Sequence, residues 1–253
     1  MRVPGIALAR RMLAAFVMIA AALAFCGARF AAAASITVDP VRIELSGEQQ
    51  SATVTVRNAG SEPVVVQAEV LVWSQVDGQD VYTRTRDALV TPTVITVPAR
   101  ADQIVRIALR SPPHATQERA FRLYVQEVPA PPKPGKIGLN VSLRIGIPVF
   151  VAPTEGRPTP RLIWRAKREA GGELRLAAEN NGTGNARLNT LTLVDPSGRT
   201  VAQLPDLAYV LPGHVRAWKL SQQQHSVTSR AGGPLRLRGE SYAGAIDDPV
   251  TLE

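Results

Sequence analysis

Beyond residue 35 the chain is a run of short segments in which apolar and polar residues alternate, the period of a strand with one buried face. Ile36 to Leu45 opens the series with Ile36 and Val38, then Val41, Ile43 and Leu45, and Pro40 resets the phase between them. Ala52 to Arg57 alternates strictly, and Val64 to Trp73 is rich in β-branched residues. Val94 to Val97, Ile104 to Leu109 and Phe121 to Val128 continue the pattern, and Gly138 to Val151 is the longest segment. Turn-forming residues lie between them: Asn58 to Ser61, and the Asp77-Gly78 pair, a strong hairpin signal. No stretch after residue 35 keeps a helical period.

A break falls at Ala152 to Pro160, where Pro153, Pro158, Pro160 and Gly156 resist pairing in a sheet interior. Strand patterns resume at Arg161 to Arg168, Leu174 to Ala178, Ala186 to Val194, Val201 to Gln203, Ala217 to Leu220 and Leu235 to Ser241. Asn180-Asn181-Gly182, Asp195 to Gly198 and Pro212-Gly213 read as turns. About seven strands per half predict an all-β chain of two Ig-sized sandwiches, residues 35–153 and 161–253, joined by a stiff linker at 154–160.

The first 34 residues read differently. Arg2, Arg10 and Arg11 precede an apolar stretch from Met12 to Cys26, and Ala31-Ala32-Ala33-Ala34 supplies small residues for cleavage. This is the pattern of an export signal. The stretch is short for a membrane anchor, which needs about 20 apolar residues. A lipoprotein signal is disfavoured because Phe25 stands before Cys26 where a small residue belongs. Cleavage after Ala34 would remove Cys26, the one cysteine of the chain, and with it all thiol chemistry. It would also remove Arg2, Arg10, Arg11 and Arg29, lowering the formal charge from +8 to +4. That balance gives no warrant for nucleic-acid binding, which wants a clustered basic face.

Catalytic patterns are absent from the sequence. His114, His214 and His225 lie far apart in polar, Pro-, Gly- or Gln-rich stretches, without metal-ligand spacing. No nucleophile elbow, zinc-protease helix or phosphate-cradling glycine loop occurs. Asp247-Asp248 reads as a solvated turn. The glycosylation-like triplets at Asn140 and Asn181 read as a strand residue and a turn. No enzyme, cofactor, metal or small-molecule substrate is expected.

Two neighbouring segments carry more information. Arg119 to Pro129 is followed, after a Pro/Lys/Gly loop from Ala130 to Lys136, by Leu139-Asn140-Val141-Ser142-Leu143-Arg144-Ile145-Gly146-Ile147. Five apolar residues alternate there with polar or small ones. This fits a half-buried hairpin turned to its own core. It equally fits an edge strand that pairs with another chain, main-chain bonds giving affinity and alternate side chains filling pockets.

The sequence resembles the periplasmic pilus-assembly chaperones, the PapD-like family. The resemblance rests on Val38-Asp39-Pro40-Val41-Arg42, on Phe121 to Pro129, and on Leu139 to Pro153 ending in Val149-Phe150-Val151-Ala152-Pro153. In the second half it rests on Leu174 to Arg187, on Val210-Leu211-Pro212-Gly213 followed by Trp218, and on Glu240 to Ala245. It implies two Ig-like domains at an angle with a cleft between them, and a non-enzymatic role in the periplasm. Such a chaperone binds pilus subunits by lending them a strand, prevents their aggregation, and passes them to an outer-membrane usher. Carried onto this chain, the inserting residues are Leu139, Val141 and Leu143, continuing through Ile145 and Ile147 along the same face. An exposed apolar edge of this kind would also permit a capped dimer of the free protein.

The resemblance further implies that two cations hold the subunit's C-terminal carboxylate. Arg42 stands at the first position, and its planar fork suits a carboxylate. The family's second cation, a Lys, falls at Pro148, which cannot serve. Arg122 and Arg144 are the substitutes on offer, and either also fits a solvated strand arginine. Gly146 to Val151 resembles the archaic, Csu-type branch of the family. Ala152 departs as well, since many relatives place an Arg there within an interdomain ionic contact. Two other readings fit the sequence less well. A structural pilus subunit or adhesin would usually hold a disulfide and lack its last strand. A hydrolase would need a nucleophile and base that are not seen.

Overall fold

A computed structural model describes residues 36–113, 115–129, 141–169, 173–204, 207–220, 235–241 and 244–252. Residues 1–34, expected as an export signal, and Leu139, His114 and His225 therefore lie outside the described residues. The first half contributes β1 (Ile36–Asp39), β2 (Ile43–Leu45), β3 (Ser51–Asn58), β4 (Val64–Val76), β5 (Gln79–Arg84), β6 (Ala88–Thr91), β7 (Val94–Val97), β8 (Asp102–Leu109), β9 (Arg119–Glu127) and β10 (Arg144–Val151). One sheet runs β1-β3-β8-β6; the other runs β2-β10-β9-β4-β5, with β7 also on β4.

Period-two alternation explains how these sheets close on each other. Val54 and Val56 of β3, Val105 and Ile107 of β8, Val66 and Ala68 of β4, Phe121, Leu123 and Val125 of β9, and Ile147, Val149 and Val151 of β10 share one core. Asp77 and Gly78 both adopt positive φ, 52° and 78°, which builds the two-residue turn between β4 and β5 that the Asp-Gly pair signals. The segment Ile36 to Leu45 is two strands and not one. β1 pairs with β3 in the first sheet, whereas β2 pairs with β10 in the second. The break falls at Pro40, which has no N–H for a ladder.

The second half contributes β11 (Leu162–Arg168), β12 (Leu174–Asn180), β13 (Ala186–Val194), β14 (Thr200–Gln203), β15 (Ala208–Val210), β16 (Val215–Leu220), β17 (Leu235–Ser241) and β18 (Gly244–Leu252). They run β14-β13-β17-β18-β11-β12-β16, with β15 also on β13. β18 is antiparallel to β17 and parallel to β11, so it links the two layers. A second core, around Trp164, Leu176, Leu188, Leu193 and Leu237, fills the space between them. Trp164 lies 6.1 Å from Trp218 and donates its Nε1–H to Asp248 Oδ2 at 3.1 Å. Asp247-Asp248, expected in a turn, thus belongs to β18, where Asp247 also pairs with Arg236 at 2.8 Å. The chain is all-β, two Ig-like sandwiches with separate cores.

Each sandwich buries an asparagine that pins its loops. Asn58 donates its amide to the carbonyls of Glu62, Val97 and Pro98 and accepts from the Gly60 N–H. Asn180 donates to the carbonyls of Gly184 and Val210 and accepts from Gly182 and Arg161. Both are fully buried. A buried amide with every group satisfied holds loop geometry that apolar packing alone would leave loose.

The second sheet of the first sandwich is covered on both faces where it meets the second sandwich. Along β4, Val66, Ala68 and Val70 point inward, while Leu71, Trp73 and Gln75 are buried on the opposite face. Trp73 and Phe150 pack there against Tyr209 and Leu211. Trp73 meets Tyr209 edge-on at 5.3 Å, and Phe150 lies 5.5 Å from the same ring. Gln75 donates to the Tyr209 carbonyl at 2.8 Å and accepts from the Leu211 N–H at 3.1 Å. The Ala217 N–H donates to the Gly78 carbonyl, and a Cβ at Gly78 would fall 2.6 Å from that of Ala217. At a second point Glu118 accepts from the backbone and side-chain amides of Asn185 at 2.9 and 2.6 Å. Burial raises the Glu118 pKa, and the two Asn185 bonds oppose that shift.

Candidate functional site

β10 has one covered end and one open end. Val149–Val151 pair with β2 on one edge and with β9 on the other. Arg144–Pro148 pair with β9 alone, so their other edge meets no strand among the described residues. The line continues outward through Leu143, whose carbonyl accepts from the Glu127 N–H at 2.9 Å. Its N–H donates to Glu127 Oε2 at 3.2 Å, and Ser142 Oγ donates to the Glu127 carbonyl at 2.7 Å.

The apolar residues expected to insert into a partner are placed unequally. Val141 is 67% exposed. Leu143 and Ile145 are half-buried at the rim of the first core. Ile147 is a correction to the sequence reading: only 1% of it is exposed, and it packs inside its own sandwich, opposite Leu123 of β9. The alternation that runs unbroken from Leu139 to Ile147 thus crosses from outside to inside. β2 pairs with the far end from Val149 onward, and no strand among the described residues pairs with the outer edge of the near one.

The arginines cluster beside the covered end. Arg42 directly precedes β2, and β2 pairs with β10 from Val149 onward, so Arg42 is set beside Pro148. Its guanidinium stacks over Phe150 at 4.4 Å, and its Nε donates to Glu44 at 2.9 Å. Arg122 is the cross-strand partner of Pro148 on β9. It points away from the core, the phase opposite to Phe121 and Leu123, and stacks over Trp73 at 4.6 Å and Tyr82 at 5.9 Å. Burial pushes the Tyr82 hydroxyl up to about 12, against the pull of the Arg122 charge. Gly146 leaves room for this stack, since a Cβ there would lie 3.0 Å from the Tyr124 ring and 3.3 Å from Arg122 Nε.

Arg42 and Arg122 line one cleft of about 280 Å³, with Pro148 between them. Arg144 is not part of it. It is exposed and lies 3.8 Å over the Tyr124 ring, farther out on the open end. Of the two substitutes the sequence offers for a second cation, the geometry brings Arg122 to Arg42 and leaves Arg144 apart. The remaining wall of the cleft comes from the second sandwich, through Arg187, Tyr209 and Arg216. Sequence reasoning missed these residues. They stand at ordinary outward strand positions and meet Arg42 only through the contact between sandwiches. Asp80, whose carboxylate takes Trp73 Nε1–H, Gln75 Nε2–H and Arg216, is the one acid among the described residues that lines this cleft.

Residues 35–157 match the family model of the PapD N-terminal domain, described as a pili and flagellar-assembly chaperone. The first sandwich belongs to the PapD-like pilus chaperones. This PapD-like chain is similar in fold to a chain of the CsuC–CsuE chaperone–tip subunit pre-assembly complex from the archaic Csu pili of Acinetobacter baumannii. That likeness has a TM-score of 0.67 at 21% identity and covers 87% of this chain and 100% of the other. The Salmonella enterica SafA pilin–SafB chaperone complex gives 0.54 at 20% identity, covering 85% and 94%. The periplasmic chaperone SfaE gives 0.53 at 13%, covering 85% and 99%. No curated protein sequence matches the PapD-like chain.

Proposed function

We propose that this PapD-like chaperone holds pilus subunits in the periplasm by lending them the open edge of β10, and then delivers them to an outer-membrane usher. On this reading residues 1–34 are the cleaved export signal and residues 35–153 form the strand-lending domain. Residues 154–160 are the linker and residues 161–253 the second domain. The observation that carries the reading is that a single strand joins an edge at Arg144–Pro148, unpaired among the described residues, to a cleft lined by Arg42 and Arg122.

An incomplete Ig-like subunit exposes an edge and an open core. The free N–H and C=O groups of β10 would satisfy that edge. Val141, Leu143 and Ile145, together with Leu139, would fill the core groove. Arg42 and Arg122 would bind the subunit's C-terminal carboxylate through charge-assisted hydrogen bonds, which are about twice as strong as neutral ones. The aromatic faces under both guanidiniums hold them in place, so less freedom is lost on binding.

The test is co-expression with the subunit encoded nearby, followed by recovery of the pair from periplasm. Arg42→Ala is expected to abolish recovery while the chaperone stays folded. Recovery at the wild-type level would overturn the carboxylate anchor.

A further inference from the structure

The cleft holds more positive charge than one carboxylate can use. Arg42 and Arg122 come from the first sandwich; Arg187 on β13 and Arg216 on β16 come from the second. Two of the four already face an acid, Arg42 with Glu44 at 2.9 Å and Arg216 with Asp80 at 3.0 Å. Asp80 is further occupied by Trp73 and Gln75. Arg122 and Arg187 have no acid partner among the described residues, and the Nε of each is shielded from water without a hydrogen-bond acceptor. A shielded donor without an acceptor is costly, and an anionic ligand that supplies one removes the cost. One unmatched cation therefore stands on each sandwich, facing a shared space.

We propose that Arg187 binds a second carboxylate, that of an acidic side chain next to the guest's C-terminus, so that the guest's end is held as a dianion bridging both sandwiches. This rests on the reading of the cleft as a carboxylate anchor. A peptide is favoured over a free inorganic anion because Val41 and Leu207, 72% and 52% exposed, line the same cleft and offer apolar contact to side chains. The guest's terminal carboxylate lies between Arg42 and Arg122, and the acidic side chain turns to Arg187. Selectivity among guests then comes partly from the second sandwich.

Three N-acetylated peptides of equal length test this by calorimetry on the whole chaperone. One ends in Asp-Val with a free carboxylate, one in Asn-Val with a free carboxylate, and one in Asn-Val amide. The wild type is expected to prefer the dianionic peptide by about tenfold over the monoanionic one, the scale of one charged hydrogen-bonded contact. Arg187→Gln should bring that ratio to about one while leaving monoanion affinity unchanged, and Arg187→Lys should restore most of it. A ratio unchanged in Arg187→Gln overturns the inference, as does absence of saturable binding of the dianion by the wild type. Equal binding of the free Asn-Val acid and its amide overturns instead the anchor reading beneath it. Sulfate that competes no better against the dianion than against the monoanion supports a peptide site. Sulfate that erases the tenfold preference, while leaving the monoanion bound, shows an inorganic-anion site and overturns the proposal.

Discussion

At its C-terminal end β10 is closed on every side. Ile147, Val149 and Val151 fill the first core, Phe150 packs between the sandwiches, and from Val149 onward β2 and β9 occupy both edges. At its N-terminal end one edge meets no strand among the described residues, Val141 is exposed, and Leu143 and Ile145 are only half covered. The same alternating sequence serves both ends. Burial at one end fixes the strand; exposure at the other leaves it able to serve a second core. The difference lies in β2, three residues long, which stops before it reaches Pro148.

Substitutions along β10 should separate the two ends. Ile147→Ala is expected to cost about 2–5 kcal/mol of chaperone stability, seen as a lower denaturant midpoint. Leu143→Glu or Val141→Glu should leave that midpoint nearly unchanged, yet block recovery of the subunit complex. A charge entering an apolar groove costs several kcal/mol. Normal complex yield in both glutamate variants would exclude strand lending by this segment.

The arginines give the next contrast. Arg122→Ala should weaken subunit capture by about tenfold or more, and Arg144→Ala should change it little. The reverse order in one pull-down would place the second cation at the open end. Gly146→Ala should act more mildly, by pushing Arg122 and Tyr124 a few tenths of an ångström from their stack, and is checked by the same assay. The smallest effect lies far from both ends, at the Asp195 turn. There the hydrogen bond from Ser197, with others from Arg199, lowers the carboxyl to about 2. The stability it adds is complete above the ordinary carboxylate range and is lost as pH falls through about 2. Asp195→Asn should flatten that part of the stability–pH curve and leave capture intact.

Much of this fold is legible in the sequence, because half-buried strands write their period into it. β3, β8, β9, β11, β12 and β13 follow the alternating segments closely. β5 is largely polar and β6 is only four residues long, so they carry little period. β18 is hidden because Asp247-Asp248-Pro249 imitates a turn, although its acids face Arg236 and Trp164 across the sheet. Ile36 to Leu45 looks continuous because both sheets it serves want the same inward residues. Arg42 and Arg122 stand out only through the family resemblance. Arg187 and Arg216 leave no local trace at all, since their meaning arises where two sandwiches touch.

The Gln75 amide, bonded to the backbone at both Tyr209 and Leu211, has a mechanical consequence. It clamps the far wall of the cleft to the sheet that carries β10. Pro148 at the cleft and Leu143 at the open end then sit about 16 Å apart along one extended strand, at roughly 3.3 Å per residue. A clamped strand of that length is a yardstick. On the proposed function, a guest whose last residue is seated against the arginines would have every earlier residue indexed to a numbered notch, and a slip of one would turn its whole apolar face the wrong way.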